Sequence, residues 1–314
     1  IITKKPDTSS LDYGFDVEYG SINEGAIDNS LEAFVNIPIG SNMAARLSAY
    51  NVQDGGWIDN QEASFTYQNG GINYTINNFT DPYDVAEKNY NDSTKEGARL
   101  RLAGEFENFD LDISFLNQDS VVNGSYETDV MNDLQTYNLP DRTNTRFAPE
   151  VYKDNFDQMS ISLSGSITDD IDVVLTSSIF ERQTEYTYDY SSYVEYYSYA
   201  AYSYYVCNYY EYYGYYYIDI NDCRDPRMTY AQSNDIERTA TEIRVSSDND
   251  SGFNWVLGAF QETNEKVTDV DYLQPGGSYY SSGTSGTWWE ADLDRKGEIQ
   301  AIFGEAYIDI NDKT

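Results

Sequence analysis

Tyrosine is the residue whose number and spacing in this chain most suggest a binding function. The chain holds 32 tyrosines in 314 residues, and 17 of them lie between Tyr186 and Tyr217. A tyrosine ring offers a large, rigid contact area and a hydroxyl at little entropic cost. Such a surface could stack on a siderophore, a sugar ring or another protein. The alternatives are a loop cluster that packs on itself and a sticky tract that drives self-association.

Ten aromatic residues are the candidate ligand contacts. Eight lie in the tyrosine-rich segment, and two adjacent tryptophans lie in a later polar stretch. They are Tyr196, Tyr197, Tyr209, Tyr210, Tyr212, Tyr213, Tyr215, Tyr216, Trp288 and Trp289. The tryptophans could instead belong to an aromatic girdle at a membrane surface.

The same segment carries both cysteines of the chain, Cys207 and Cys223. Their spacing suits a loop disulfide and therefore an oxidising compartment, with two free thiols as the alternative. Four oxygen-bearing side chains around Cys223 could hold Ca²⁺: Asp219, Asn221, Asp222 and Asp225. They lack the glycine and the distal glutamate of an EF-hand loop, which favours solvated loop carboxylates instead.

The composition argues against several classes of function. The chain has no histidine, so it lacks the usual proton shuttle and the commonest metal ligand. It shows no serine-centred elbow and no phosphate-binding glycine loop, and we expect no enzymatic activity. A net charge of −35 repels nucleic acid.

The elements that would position these residues are strands. Between residues 157 and 182, apolar Met159, Ile161 and Leu163 alternate with serines, and alternation resumes after the polar turn 168–170. Period-two alternation around a short turn predicts a β-hairpin with one apolar face. We expect each strand to have about ten residues, which is the length that a tilted strand needs to cross a bilayer.

Ten such strands are predicted along the chain. They are 13–19, 31–39, 43–49, 98–106, 109–115, 159–167, 171–179, 242–246, 253–257 and 302–310. Short turns alternate strictly with long connectors, which include 117–156, 184–237 and 264–297. All long loops therefore lie on one side and all short turns on the other, as in a transmembrane β-barrel. A soluble sandwich rarely keeps this pattern, because its crossings mix the loop lengths.

Four arginines fall on the polar faces of their predicted strands: Arg46, Arg99, Arg101 and Arg244. We expect them to pair with carboxylates such as Glu105 and Glu242 rather than with ligand. Carboxylates on the inward face also argue against a sandwich, whose inner faces must be dry.

Four stretches, in order, resemble the TonB-dependent receptors of the Gram-negative outer membrane. IITKKP at 1–6 resembles the last strand of that family's plug domain, and DGGWIDN at 54–60 resembles the end of its third barrel strand. EIRVSS at 242–247, followed by FNWVLG at 253–258, resembles a mid-barrel hairpin. FGEAY at 303–307, with Asp309, Asn311, Asp312 and Lys313, resembles another.

The resemblance implies an all-β, antiparallel transmembrane barrel of 22 strands that is filled by a plug, and barrels of this size have a plugged lumen. Residues 1–8 would be the end of the plug and its linker. Residues 9–314 would be about ten of the 22 strands, with a long tyrosine-rich extracellular loop at 184–237. The sequence is accordingly expected to be an internal fragment.

The resemblance also implies a function. The protein would be an energy-coupled outer-membrane receptor that imports a scarce ligand, with its long loops outside the cell. An inner-membrane TonB-type protein would act through an N-terminal segment absent from this sequence. The ligand that the family favours is a ferric siderophore, and a glycan importer is the alternative within the family. A surface protein that assembles through its tyrosine-rich loop is the alternative outside it.

Overall fold

The structure is a computed structural model that describes residues 4–69, 72–80, 84–127, 140–191, 207–223, 225, 227–247, 252–274 and 286–308. Within these residues the chain is all-β, without a helix, and one antiparallel sheet has ten strands. These strands are β1 (Asp12–Ser21), β2 (Ile27–Ile39), β3 (Met43–Asp54), β7 (Ser93–Glu105), β8 (Phe109–Asn123), β10 (Val151–Thr168), β11 (Ile171–Asp189), β14 (Thr229–Ser247), β15 (Phe253–Leu273) and β16 (Thr287–Ile308).

The strands of this sheet are hydrogen-bonded in chain order, so each strand pairs with the previous and the next strand of the sheet. β1 and β16 lie at its two edges, and the sheet is not closed. Three small pairs lie within the connections. They are β4 (Asp59–Asn60) with β9 (Thr143–Asn144), β5 (Ser64–Asn69) with β6 (Ile72–Asn77), and β12 (Cys207–Tyr212) with β13 (Tyr215–Cys223).

All ten predicted strands are present, and most of them extend beyond their predicted bounds. β10 has 18 residues and β16 has 22. Beyond the apolar alternation the backbone ladder continues through tyrosines, threonines and charged residues. Hydrogen bonding holds these extensions together, and no apolar face marks them in the sequence. Residues 184–189 and 229–237 of the predicted tyrosine-rich loop therefore belong to β11 and β14.

The connections alternate in length, as predicted. At one end of the strands the connections are 40–42, 106–108, 169–170 and 248–252, and we call this end of the sheet the turn edge. At the opposite end of the strands they are 22–26, 55–92, 124–150, 190–228 and 274–286, and we call this end of the sheet the loop edge. The predicted connectors 117–156 and 264–297 are shorter than expected, because the adjoining strands extend into them.

One face of the sheet carries uncovered apolar rows, and we call it the apolar face. Leu47, Leu100, Phe115, Met159 and Ile179 are successive register partners on five adjacent strands. Their exposed fractions are 45%, 49%, 45%, 51% and 48%. A monomeric soluble protein rarely exposes a contiguous apolar patch of more than a few hundred Å². Such a face suits contact with an apolar partner.

The N-terminal segment does not form the predicted strand where the structure describes it. Residues 1–3 lie outside the described part, and residues 4–11 are irregular. Asn36, fully buried on the polar face of β2, fixes this segment by accepting a hydrogen bond from the Asp7 amide and donating one to the Asp7 carbonyl. Among the described residues, no helix is long and apolar enough to span a membrane.

Gly56 lies where two parts of the connection 55–92 pack closely against each other. A Cβ atom at this position would lie 1.9 Å from the carbonyl oxygen of Asn89. We expect Gly56→Ala to lower the free energy of unfolding by about 1–3 kcal/mol, because the backbone itself must move. Urea unfolding measures this. At Gly297 the nearest atom to such a Cβ is 3.9 Å away, so Gly297→Ala is the control. Equal effects of the two substitutions would contradict the close packing at Gly56.

Candidate functional site

A row of aromatic side chains crosses four adjacent strands near the loop edge. Tyr188, Tyr230, Tyr272 and Trp289 are successive register partners on β11, β14, β15 and β16. Their strand positions place them on the polar face, opposite to the apolar rows. The ring centroids of Tyr230 and Tyr272 are 5.1 Å apart, and those of Tyr272 and Trp289 are 5.6 Å apart, both edge to face. This geometry is typical of favourable aromatic pairs.

Two further tyrosines extend the row to a fifth strand. Tyr152 of β10 contacts Tyr186 of β11 at 6.1 Å, and Tyr186 contacts Tyr230 at the same distance. We call the six residues Tyr152, Tyr186, Tyr188, Tyr230, Tyr272 and Trp289 the aromatic wall. It spans about 19 Å, since adjacent strands lie about 4.8 Å apart. Tyr186 and Trp289 are 37% and 50% exposed, so the wall is open to a ligand.

The wall offers ring faces and neutral hydroxyl groups. The phenol groups of Tyr186 and Tyr188 are neutral at physiological pH, because an ordinary tyrosine ionises only at about pH 10. Tyr188 donates a hydrogen bond to Glu127 Oε2 at 3.1 Å. A planar or ring-shaped ligand could therefore stack on the wall and exchange hydrogen bonds with it.

A buried ion cluster lies beside the wall and consists of Arg146, Glu150 and Asp189. Their exposed fractions are 8%, 3% and 5%. Arg146 Nε lies 3.2 Å from Glu150 Oε1, and the same oxygen accepts a hydrogen bond from the Asp189 amide at 3.2 Å. The Arg146 guanidinium also lies 5.9 Å from the centre of the Tyr188 ring, which connects the cluster to the wall.

Asparagine side chains hold the backbone of the ion cluster in place. Asn60 Oδ1 accepts a hydrogen bond from the Arg146 amide at 2.7 Å, and Asn78 Nδ2 donates one to the Arg146 carbonyl at 3.0 Å. Both asparagines are almost fully buried. They belong to the connection 55–92, whereas Arg146 belongs to 124–150, so they join two neighbouring connections.

The two carboxyl groups of the cluster are perturbed by burial. Burial raises the pKa of Glu150 to about 7, against the opposing attraction of Arg146. Burial also raises the pKa of Asp189, although Asp189 accepts hydrogen bonds from the amides of Phe147 and Ser191. One arginine facing two carboxylates leaves a buried negative charge, which protonation removes.

The polar-face arginines lie nearer the turn edge, and only part of their predicted pairing is correct. Arg244 pairs with Glu242 as predicted. Arg101 pairs with Asp112 at 2.7 Å, because the next strand brings Asp112 closer, and Glu105 pairs with Lys5 instead. These contacts lie on the polar face, away from the aromatic wall.

Two arginines lack the predicted ion pair among the described residues. Arg46 lies over the Phe34 ring at 3.8 Å, and Arg99 donates to Ser114 Oγ at 3.2 Å. Both line a cleft of about 530 Å³ with Glu32 and Tyr50. Carboxylates also line this cleft, but Arg46 stacks on a ring and Arg99 binds a hydroxyl group instead of forming an ion pair with one of them.

The predicted ligand contacts are distributed differently from the aromatic wall. Trp289 belongs to the wall, whereas Trp288, its neighbour on β16, occupies the position of the opposite face. Tyr212, Tyr213 and Tyr215 lie at the tip of the β12–β13 hairpin and are 59%, 83% and 69% exposed. Tyr196 and Tyr197 lie outside the described residues, as do the side chains of Tyr209, Tyr210 and Tyr216.

The predicted disulfide has a compatible backbone. Cys207 of β12 and Cys223 of β13 are register partners. Opposed residues of antiparallel strands have Cα atoms about 4.5–5.5 Å apart, within the range that a disulfide spans. We expect the protein isolated without reductant to show no free thiol when unfolded, and to show both cysteines after reduction. Thiol labelling measures this, and two reactive thiols before reduction would contradict the disulfide.

Among the described residues, no three His, Cys, Asp or Glu side chains are grouped so that they could hold a metal ion. Of the four candidate Ca²⁺ ligands, Asp225 is engaged by Arg227, whose Nε lies 2.7 Å from its carboxylate. The side chains of Asp219, Asn221 and Asp222 lie outside the described part.

Neither the aromatic wall nor the buried ion cluster was predicted from the sequence. Tyr152, Tyr230 and Tyr272 are separated along the chain, and only the register of β10 to β16 brings them together. If the period-two alternation of each strand is continued beyond its apolar residues, these three tyrosines fall on one face of the sheet. Arg146 and Glu150 are four residues apart in one connection, but Asp189 lies at the end of β11, and no pattern in the sequence brings it to them.

Comparison of the chain with protein-family models, curated proteins and solved structures finds no match.

Proposed function

We propose that this chain forms part of the wall of a transmembrane β-barrel in the outer membrane of a Gram-negative bacterium. The uncovered apolar rows carry this proposal, because lipid is the partner that suits an apolar face extending across successive strands. The separation of long connections from short turns supports it, since outer-membrane barrels have short periplasmic turns and long outer loops.

Within such a barrel the aromatic wall faces the lumen, at the side of the long outer loops. We propose that it receives a ligand there and that the protein is a TonB-dependent importer, which is the function implied by the sequence resemblance. A plug and an inner-membrane coupling protein would then complete the transporter. The proposed ligand is a ferric siderophore, and a glycan is the alternative, because tyrosine and tryptophan faces suit both kinds of ring.

A second candidate function rests on the β12–β13 hairpin. Its tip exposes Tyr212, Tyr213 and Tyr215, with Tyr213 at 83%. Exposed aromatic groups on a short hairpin could assemble with copies of themselves, as a structural or adhesive surface protein requires.

Uptake by whole cells separates the two candidates. Cells that carry the complete protein should accumulate radiolabelled ferric siderophore or labelled glycan, and a protonophore should abolish this accumulation. Replacing 207–223 by a short Gly-Ser linker leaves β11 and β14 intact. If uptake persists and cell-to-cell association is lost, the hairpin has the adhesive role. Absence of energy-dependent uptake of either ligand class would contradict the importer proposal.

A further inference from the structure

Three connections of the loop edge meet at the buried ion cluster. Arg146 and Glu150 belong to 124–150, Tyr90 reaches the cluster from 55–92, and Ser191 reaches it from 190–228. The Glu150 amide donates to Tyr90 Oη at 3.0 Å, and the Ser191 amide donates to Asp189 Oδ1 at 2.9 Å. Each connection is therefore fastened to the same few buried groups.

Arg227 adds a second link between the same connections. Its Nη1 donates to the carbonyl of Asn77 at 2.8 Å and to the carbonyl of Phe147 at 3.3 Å. The Phe147 amide in turn donates to Asp189 Oδ2 at 2.6 Å. The ion cluster and Arg227 therefore hold the three connections together at neighbouring points.

The charges around Glu150 do not balance. The ionisable groups that face it are Arg146, Asp189, Tyr90, Tyr186 and Tyr188, and the Arg227–Asp225 pair lies beyond Phe147. Arg146 is the cation nearest to Glu150, and it also lies 3.6 Å from Glu127. When all three carboxyl groups are ionised, one guanidinium serves three negative charges.

We propose that the buried ion cluster is a proton-operated latch that fastens the three connections at the loop edge and tightens when the medium becomes acidic. The latch takes up one proton at Glu150 from a hydronium ion of the medium, which leaves a water molecule. The proposal concerns only the described residues of the loop edge and does not depend on lipid contact or on transport.

The direction of the pH effect follows from linkage. Glu150 has a pKa of about 7 in the closed latch, against an ordinary value of 4.5 when it is exposed. The closed latch therefore binds a proton that the open latch releases, and closure weakens as the pH rises from about 4.5 to 7. Above about 7 both forms are ionised and the effect levels off. The raised pKa of Asp189 acts in the same direction.

Amide hydrogen exchange of the wild-type protein tests the latch directly. The amides of Phe147, Asp189 and Ser191 report on closure, because each donates to a carboxylate of the cluster. We expect their protection, corrected for intrinsic exchange, to fall by roughly tenfold per pH unit between pH 5 and 7 and then level off. Protection that stays constant over this range would overturn the proposal.

Two variants identify the group responsible. Glu150→Gln keeps the shape of the side chain but cannot ionise, so its protection should stay high and fall much less with pH than that of the wild type. Glu237→Gln changes an exposed glutamate of β14 and should keep the wild-type profile. A Glu150→Gln profile as steep as that of the wild type would overturn the assignment to Glu150. If this variant does not fold, the carboxyl ¹³C signal of Glu150 in the wild type must titrate near 7, and titration near 4.5 would overturn the proposal.

Discussion

Ile161→Arg should prevent most of the protein from assembling in the outer membrane. Ile161 lies on the apolar face, 42% exposed, between Ile113 and Ser177 of the neighbouring strands. An arginine on the lipid face of a barrel costs about 2–4 kcal/mol near the bilayer midplane. The measurement is the fraction of folded protein in the outer membrane, read from heat-modifiable mobility in gels.

The neighbouring residue provides a matched control for this substitution. Ser162 lies on the polar face, beside Asp112 of β8 and Thr176 of β11. An arginine there enters a polar environment with a carboxylate nearby, so Ser162→Arg should assemble almost normally. The opposite ranking, with Ser162→Arg more damaging, would mean that the polar face is the dry one and would contradict lipid contact at Ile161.

Removing two rings of the aromatic wall should weaken ligand capture by at least roughly tenfold for each ring, as for aromatic contacts at the centre of an interface. Tyr230 and Tyr272 are the natural choice, because they lie in the middle of the row with ring centroids 5.1 Å apart. We expect Tyr230→Ala and Tyr272→Ala to raise the KM of uptake and to leave the maximal rate little changed. Concentration-dependent uptake of the labelled ligand measures both constants.

Two controls show whether the rings act by contact. Tyr19→Ala removes a tyrosine that is 74% exposed on the apolar face of β1, and it should leave the KM unchanged. Phenylalanine at positions 230 and 272 should restore most of the affinity if stacking dominates. An unchanged KM in both alanine variants would exclude the aromatic wall from ligand capture.

The strands of this protein were largely predictable because apolar alternation is a local signal. Met159, Ile161 and Leu163 alternate with serines, and β10 indeed lies there. The signal stops where the apolar rows stop, although β10 begins at Val151 and β11 continues to Asp189. In these extensions both faces are polar or aromatic, so hydrogen-bonded pairing defines the strand without any contrast between faces.

The candidate site was less predictable because it depends on contacts between distant segments. Tyr186 and Tyr188 belong to the tyrosine-rich run, but their partner Tyr230 lies far along the chain and meets them only through the β11–β14 register. The cluster around Arg146 depends on buried asparagines such as Asn60, which is 86 residues away in sequence. Composition and spacing carry no information about such contacts.

Spin-label accessibility along β10 shows whether lipid covers the apolar face. Single cysteines at positions 159 to 164, in a background without Cys207 and Cys223, would carry a nitroxide in the membrane-inserted protein. We predict that collision with oxygen is high at 159, 161 and 163, and that collision with a water-soluble nickel chelate is high at 160, 162 and 164. Equal access of the nickel chelate to all six positions would show that water covers both faces, and the account would then be wrong.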